Sequence, residues 1–521
     1  MRFEKMNILV IPVVLFISIF LYCDRLPVID LEAINFMTAR EILQNGSWLI
    51  PTLEGNIRIE KPPLPTWITT LPMMLTGTDT NLVANRIPAG ICALVLILFT
   101  YLLARRITPD KGFAVSAILV LATSYIFLVS ARRNVWDIYA VMAMTGAIWA
   151  MLEAFWRQEG KNFYFLLFSL LMTLSFFCKG PVAFWVLLIP FLISFCIAYT
   201  LKDLRENKRE LLGACALCIL LSATWPIYVY FNTPHASTLV AVKESHAWFT
   251  KYAKPVWFYL LHIQEIVGVW ILFLVYGVGV SFLDKNRKPW EKLSTLWFII
   301  AIVFLSVFPE KKARYLFPAV VPGSIVTAIT IHRLQEAGGW VWRAVYGSFC
   351  IIMGILFIGA AAAVAYYSGG RPLFLLGALP IGLAGCLIVY EFMVKKTHNA
   401  HVVAVAGICL CIVFGTPLLP MPKLVYYVGT QDAQKFLHIR ENPEIMKRDF
   451  YSFGFVPSYD IKWAAGKKIS DTDVEQIMVM KAQGKSGVLI TMRPMNQQTY
   501  GLRLVDSIRT DRHSYFIYLM H

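Results

Sequence analysis

Several short stretches of this sequence place charged side chains where the flanking residues are strongly apolar. Ile29-Asp30-Leu31-Glu32 sets two carboxylates two residues apart, a pattern that can hold a divalent cation or take a proton from an attacking hydroxyl. The plainer reading is a solvated loop in which Asp30 caps a helix over 31–44. Glu60-Lys61-Pro62-Pro63 holds an ammonium group on extended backbone, because each proline restricts itself and the residue before it. A fixed cation suits a lipid phosphate; a stiff turn with a snorkelling lysine is the alternative. In Ala131-Arg132-Arg133-Asn134-Val135-Trp136-Asp137, two arginines precede a carboxylate. The helix dipole accounts for an acid that opens a helix at Asp137 but not for the arginines. Cys178-Lys179-Gly180-Pro181 offers a lysine in a tight turn, and Pro309-Glu310-Lys311-Lys312-Ala313-Arg314-Tyr315 offers three cations with an aromatic. Such cations at a membrane surface match phosphate. His262 and Glu265 stand one helical turn apart, as a hydrogen-bonded structural pair or as a metal pair.

The elements that carry these residues are membrane-spanning. Of 521 residues 58% are hydrophobic and 15% charged, against about 25% charged in soluble proteins, and the mean hydropathy is +0.61. A single water-soluble globule and a disordered chain are both excluded. After the first apolar run, 8–23, further runs lie near 84–104, 112–130, 137–156, 163–178, 180–200, 211–231, 257–283, 294–308, 313–332, 343–367, 373–394 and 400–419, giving about thirteen spans. The segment 65–77 is short and belongs at the interface. No small-residue cleavage site follows the first run, which reads as a retained helix.

Alternate loops carry Arg105/Arg106, Arg157/Lys161, Lys202/Arg205 and Arg333/Arg343, on the side of Arg2 and Lys5. That side is the cytoplasm by the positive-inside tendency, and an odd number of spans puts the C-terminal tail outside. The same tendency explains the net charge of +16 without nucleic acid. The expected domains are a membrane body, 1–419, with an outer loop at about 24–83, and a small soluble α/β domain, 420–521. In the tail, 449–453, 487–492 and 513–520 read as strands, and Ser470-Asp471-Thr472-Asp473 reads as the cap of a helix ending near Gln483. The ten cysteines sit in or beside apolar runs and read as buried thiols. No Gly-rich phosphate loop is present, which argues against a nucleotide enzyme and leaves an enzyme handling a lipid phosphate at the outer leaflet.

The order Asp30-Leu31-Glu32-Ala33, Arg40-Glu41-Ile42-Leu43, Gly46-Ser47-Trp48-Leu49-Ile50-Pro51, Gly55 and Glu60-Lys61-Pro62-Pro63-Leu64 resembles the aminoarabinose transferase family. These are polyprenyl-phosphate-sugar glycosyltransferases related to protein O-mannosyltransferases. Asn85-Arg86-Ile87-Pro88, Arg132/Arg133 to Asp137, Lys179-Gly180-Pro181, Trp225-Pro226 and Lys311 to Pro318 continue the match. It runs over residues 1–330, and the tail is similar in placement only. The resemblance implies an all-α polytopic membrane protein of the GT-C class with a small periplasmic C-terminal α/β domain, in the cell inner membrane with its N-terminus cytoplasmic. It implies transfer of a sugar from an undecaprenyl-type phosphate to a lipid A-type glycolipid, another glycan or a protein.

Family carboxylates map to the first-loop acidic motif and to Asp137. The family motif is an adjacent Asp-Glu; aligning on Gly46-Ser47-Trp48 puts Leu31-Glu32 there, with Asp30 one place early. Either Asp30 or Glu32 takes that role. Expected phosphate-binding residues are Lys61 first, with Arg86, Arg132, Arg133, Lys179, Lys311, Arg314 and Tyr315. A divalent ion, if used, falls to Asp30 and Glu32 or to His262 and Glu265. The competing readings are a transporter or flippase of a lipid-linked sugar, which would show repeats and broken helices with mid-membrane polar sites, and an inactive envelope binding protein of the same fold.

Overall fold

The computed structural model describes residues 10–108, 111–157, 159–199, 201–246, 253–284, 287–337, 339–394, 400–416, 432–510 and 513–520. Arg2, Lys5 and the domain boundary expected at 419/420 lie outside these residues. The chain divides into two compact units. The first comprises Met1–Cys23, Arg58–Pro65 and Arg86–Leu418; the second comprises Asp24–Ile57, Thr66–Asn85 and Leu419–His521.

Among the described residues nine helices are long and apolar enough to cross a bilayer, or eleven if each of two bent pairs is one span. Phe184–Ala198 and His401–Gly415 are apolar but shorter. The count of about thirteen expected from hydropathy differs because some apolar runs are broken or short as helices. The run 112–130 divides into Lys111–Ala122 and Tyr125–Ala131, bent by 67°. At the break Thr123 Oγ1 donates to Leu119 O and Ser124 Oγ to Val120 O, each at 2.6 Å. These side chains compete with the backbone for the helical acceptors. The run 257–283 breaks at Gly268, whose φ of +58° leaves the helical region at the end of Gln264–Val267.

Trp136–Trp156 is enclosed along nearly its whole length in the first unit. Small residues make this feasible, since they let neighbouring backbones approach. Ala140, Ala143, Ala147, Ala150 and Ala154 are buried, and at Gly146 a Cβ would stand 2.5 Å from the Phe99 ring. The next helix, Lys161–Lys179, packs against it, and Ser175 Oγ donates to Ala140 O at 2.9 Å. The two helices are 21 and 19 residues long and are joined by a short connection. As neighbours of nearly equal length they bring the start of one level with the end of the other.

In the second unit strands β1 (Thr52–Leu53) and β2 (Asn56–Ile57) form a small hairpin. Strands β3 (Asp449–Phe453), β4 (Ile469–Thr472), β5 (Gly487–Thr491), β6 (Leu502–Arg509) and β7 (Ser514–Met520) form a sheet of order β4-β3-β5-β7-β6. β3 runs parallel to β4 and β5, while β7 runs antiparallel to β5 and β6. Alternation sorts the side chains to two faces. Phe450, Val488, Ile490, Ile517 and Leu519 pack with Ile461 and Trp463 of the helix Tyr459–Ala465, and Leu489, Tyr518 and Met520 pack with Ile477 and Met480 of the helix Val474–Ala482. Asp473 caps the latter helix, accepting from Gln476 N at 2.7 Å. Ala33, Phe36 and Met37, on the helix Asp30–Asn45, enter the first of these cores, with the Phe36 and Trp463 rings 5.9 Å apart.

Candidate active site

Asp137 lies in the first turn of Trp136–Trp156 and Lys179 is the last residue of Lys161–Lys179. Each therefore sits at the helix end where its charge is favoured. Gly180, at φ +68°, terminates the second helix directly after the lysine. The packing of the two helices joins their ends. Lys179 Nζ donates to Asp137 Oδ1 in an ion pair whose side chains are 9% and 8% exposed.

Other cations of the same unit gather around this pair. Arg314 and Lys61 lie close enough to Lys179 to repel it. The Tyr315 ring sits 5.2 Å from Lys179 Nζ, 5.7 Å from Lys312 Nζ and 5.4 Å from Arg314 Cζ. Glu310 Oε1 accepts from Lys312 Nζ at 2.6 Å and from Tyr315 Oη at 3.1 Å, fixing the phenol. Lys312 is thus tied to Glu310, whereas Arg314 is exposed. Positive charge exceeds negative charge in this cluster, which favours an anionic ligand.

The remaining residues expected at the site have other placements. Arg132 donates from Nε to Ser18 O at 2.9 Å and from Nη2 to Ile17 O at 2.5 Å, serving carbonyls at the end of the helix Val10–Ile19. Arg86 donates from Nη1 to Cys23 O at 2.5 Å. The positive-inside tendency gave no account of these arginines; unpaired helix-end carbonyls do. Lys311 is 3% exposed and donates to Phe308 O. Arg133 is buried, and its charge acts on Tyr125, as does that of Glu265. His262 Nε2 lies 4.0 Å from Glu265 Oε1, its Nδ1 lies 2.8 Å from Phe258 O, and its ring stacks on Phe258. This is the geometry of a structural pair.

Asp30 and Glu32 belong to the second unit. Asp30 does not cap its own helix but begins it, and Ile29 occupies the cap position. Its Oδ1 instead accepts from Tyr459 N at 3.0 Å and Asp460 N at 3.4 Å, capping the helix Tyr459–Ala465. Glu32 is fully buried while Asp30 is exposed. Two residues apart on a helix they face different directions, so the expected joint ligation of a divalent ion by Asp30 and Glu32 does not fit. Among the described residues no cluster of three or more His, Cys, Asp or Glu side chains could hold a metal ion.

Two neighbours of the cluster and one structural residue of the second unit had no signal in the sequence. Glu310 is the acid within the cationic motif. Arg58 stands three residues before Lys61, and its guanidinium lies over the Trp136 ring at 4.9 Å. Asp79, in the second unit, accepts from Arg40 at 3.0 Å and from Arg440 at 2.6 and 3.3 Å, tying the first-loop segment to the tail. Its lone position in a polar stretch gave no signal.

A family model described as dolichyl-phosphate-mannose-protein mannosyltransferase matches residues 60–228. The chain is 27% identical over 292 residues to an uncharacterized protein of Aquifex aeolicus, covering 56% of this chain and 57% of that protein. It is 24% identical over 397 residues to undecaprenyl phosphate-alpha-4-amino-4-deoxy-L-arabinose arabinosyl transferase 1 of Proteus mirabilis, covering 73% and 70%. The Pseudomonas fluorescens protein of that name is 23% identical over 423 residues, covering 78% and 72%. The crystal structure of ArnT from Cupriavidus metallidurans bound to undecaprenyl phosphate superposes with a TM-score of 0.74 at 15% identity, covering 98% of this chain and 97% of ArnT. The apo ArnT structure gives a TM-score of 0.71 at 16% identity, covering 98% and 96%. The chain is a multi-pass membrane protein. In sequence it resembles the aminoarabinose transferases, and it shares the fold of the crystallised ArnT.

Proposed function

We propose that this protein is a membrane glycosyltransferase that moves a sugar from a polyprenyl-phosphate donor to an acceptor on the periplasmic side of the inner membrane, with its N-terminus cytoplasmic. The observation that carries this reading is the cluster of the cations Lys61, Lys179 and Arg314, with the Tyr315 ring, around Asp137, at one end of a helix pair, in a fold shared with a protein crystallised with undecaprenyl phosphate. The acceptor oxygen attacks the anomeric carbon. The bond from that carbon to the phosphate oxygen breaks, and its electron pair stays on the phosphate. One displacement inverts the anomeric centre. The leaving group gains negative charge as the bond breaks, and Lys61 and Arg314 stabilise it. Tyr315, held by Glu310, supplies a wall beside them. A hydroxyl acceptor gives its proton to Asp137, whose charge Lys179 balances; a phosphate acceptor needs no base. The residues assigned to these steps all belong to the first unit.

The donor named for the curated transferases, undecaprenyl phosphate-4-amino-4-deoxy-L-arabinose, is the first to test, with lipid A-type glycolipids, other glycans and proteins as acceptors. Purified protein is incubated with radiolabelled donor and a lipid extract. Transferred label supports the enzyme. Label that crosses the bilayer with its phosphate–sugar bond intact supports a flippase, and label merely retained supports a binding protein. Lys61→Ala is expected to lower transfer by about 10²- to 10³-fold, the cost of removing a preorganised stabiliser of transition-state charge, while the protein stays folded and inserted. Near-normal turnover in that variant rejects the leaving-group role of Lys61.

A further inference from the structure

Trp136 adjoins Asp137 in the first turn of the enclosed helix and is 4% exposed. Among the described residues its indole Nε1 is buried without a hydrogen-bond partner. Folded proteins pair the great majority of their buried polar atoms, so an orphan donor at a candidate site calls for a reason. Phenylalanine would offer an aromatic face there without an unpaired N–H. The indole can only donate, so its missing partner is an acceptor oxygen. The surroundings select the kind of oxygen. Lys179, beside Asp137, is in the same cluster as Lys61 and Arg314, and the Arg58 guanidinium lies over the indole face at 4.9 Å. A cation on the ring face draws electron density from the ring and makes the N–H a better donor to an anion.

We propose that the Trp136 Nε1–H is a phosphate-oxygen donor for the polyprenyl-phosphate ligand, with Arg58 as the positioning residue that holds and polarises the indole. This assignment rests on the glycosyltransferase reading and adds a neutral donor to the cations already named. The probe is undecaprenyl phosphate, and its affinity for the full-length protein in detergent is compared among wild type, Trp136→Phe and Trp136→His. Both variants shrink the ring, histidine more than phenylalanine, but only histidine keeps a ring N–H. Trp136→Phe is expected to bind about 10- to 100-fold more weakly, the range for a hydrogen bond to a charged group. Trp136→His is expected to stay within about threefold of wild type, and the two variants are expected to melt at similar temperatures. A Trp136→Phe affinity equal to wild type overturns the assignment. Equal weakening in both variants also overturns it, because packing would then explain the loss. Wild-type protein that neither binds the probe nor transfers sugar overturns the glycosyltransferase reading itself, and this assignment with it.

Discussion

Asp137→Asn leaves the Lys179 ammonium, 9% exposed on its side chain, facing Lys61 and Arg314 with no carboxylate to balance it. Removing one partner of a buried ion pair costs about 3–5 kcal/mol, because the other charge stays buried and uncompensated. Lys179→Met strands Asp137 instead. There the helix N-terminus recovers about 0.3–1 kcal/mol, so the loss is smaller, about 2–4 kcal/mol. The double variant Asp137→Asn/Lys179→Met removes both charges and is expected within about 1 kcal/mol of wild type, since a buried pair contributes little net stability over neutral replacements. The cycle therefore gives a coupling of at least about 4 kcal/mol. In detergent at one fixed scan rate, each single variant should melt several degrees below wild type and the double variant should return most of that loss. Additive losses would refute the pairing, and with it the view that Lys179 serves Asp137 rather than acting as an independent phosphate ligand.

Asp79→Asn removes the carboxylate shared by Arg40 and Arg440 and is expected to destabilise the second unit by about 2–4 kcal/mol, less than a fully buried pair because the arginines are partly exposed. Faster hydrogen exchange at Phe436 to Ala465 would report it, and unchanged protection would count against the triad. Burial, above all, raises the Asp460 carboxyl above its ordinary value of 3.8; the Ser458 hydrogen bond opposes this and the Asp30 charge adds to it. The folded state then holds this proton more tightly than the unfolded chain. Its contribution to stability is full below the ordinary value and is lost as pH rises through the raised one. Asp460→Asn should flatten that part of the pH–stability curve, measured by hydrogen exchange between about pH 3.5 and 7; an unchanged slope would remove Asp460 as its cause.

Hydropathy read the long helices closely. The apolar runs at 137–156, 211–231 and 373–394 correspond to Trp136–Trp156, Lys208–Asn232 and Pro372–Met393. It failed where side-chain hydroxyls break a run whose composition stays apolar, as at Thr123/Ser124, whereas the run interrupted at Gly268 still contains the span Gln264–Leu283. In the tail, β3, β5 and β7 were legible from their alternation. β4 was hidden because Ser470-Asp471-Thr472 reads as a cap, and only Asp473 caps. β6 was hidden because it is an edge strand with a register shift between Leu504 and Asp506, and much of it is exposed. At the site, residue types pointed to Asp137, Lys179, Lys61, Arg314 and Tyr315. Spacing could not say that Lys179 pairs with Asp137, because that depends on two helices of matched length. Nor could it say that Arg86 and Arg132 answer backbone carbonyls, whose demand exists only once the first helix ends.

The hydrogen bonds from Tyr459 and Asp460 to Asp30 span 429 and 430 positions of the chain. At about 5–20 residues per second of synthesis, the apolar side of Asp30–Asn45 leaves the ribosome roughly 20–90 s before the sheet that covers it. Through that interval Phe36 and Met37 have no finished core, while the intervening helices are threaded into lipid. The nascent protein therefore carries an early sticky segment that a chaperone or the bilayer surface must shelter. Any truncation that removes the last strands would leave that segment permanently unclosed and the second unit open to quality-control proteolysis.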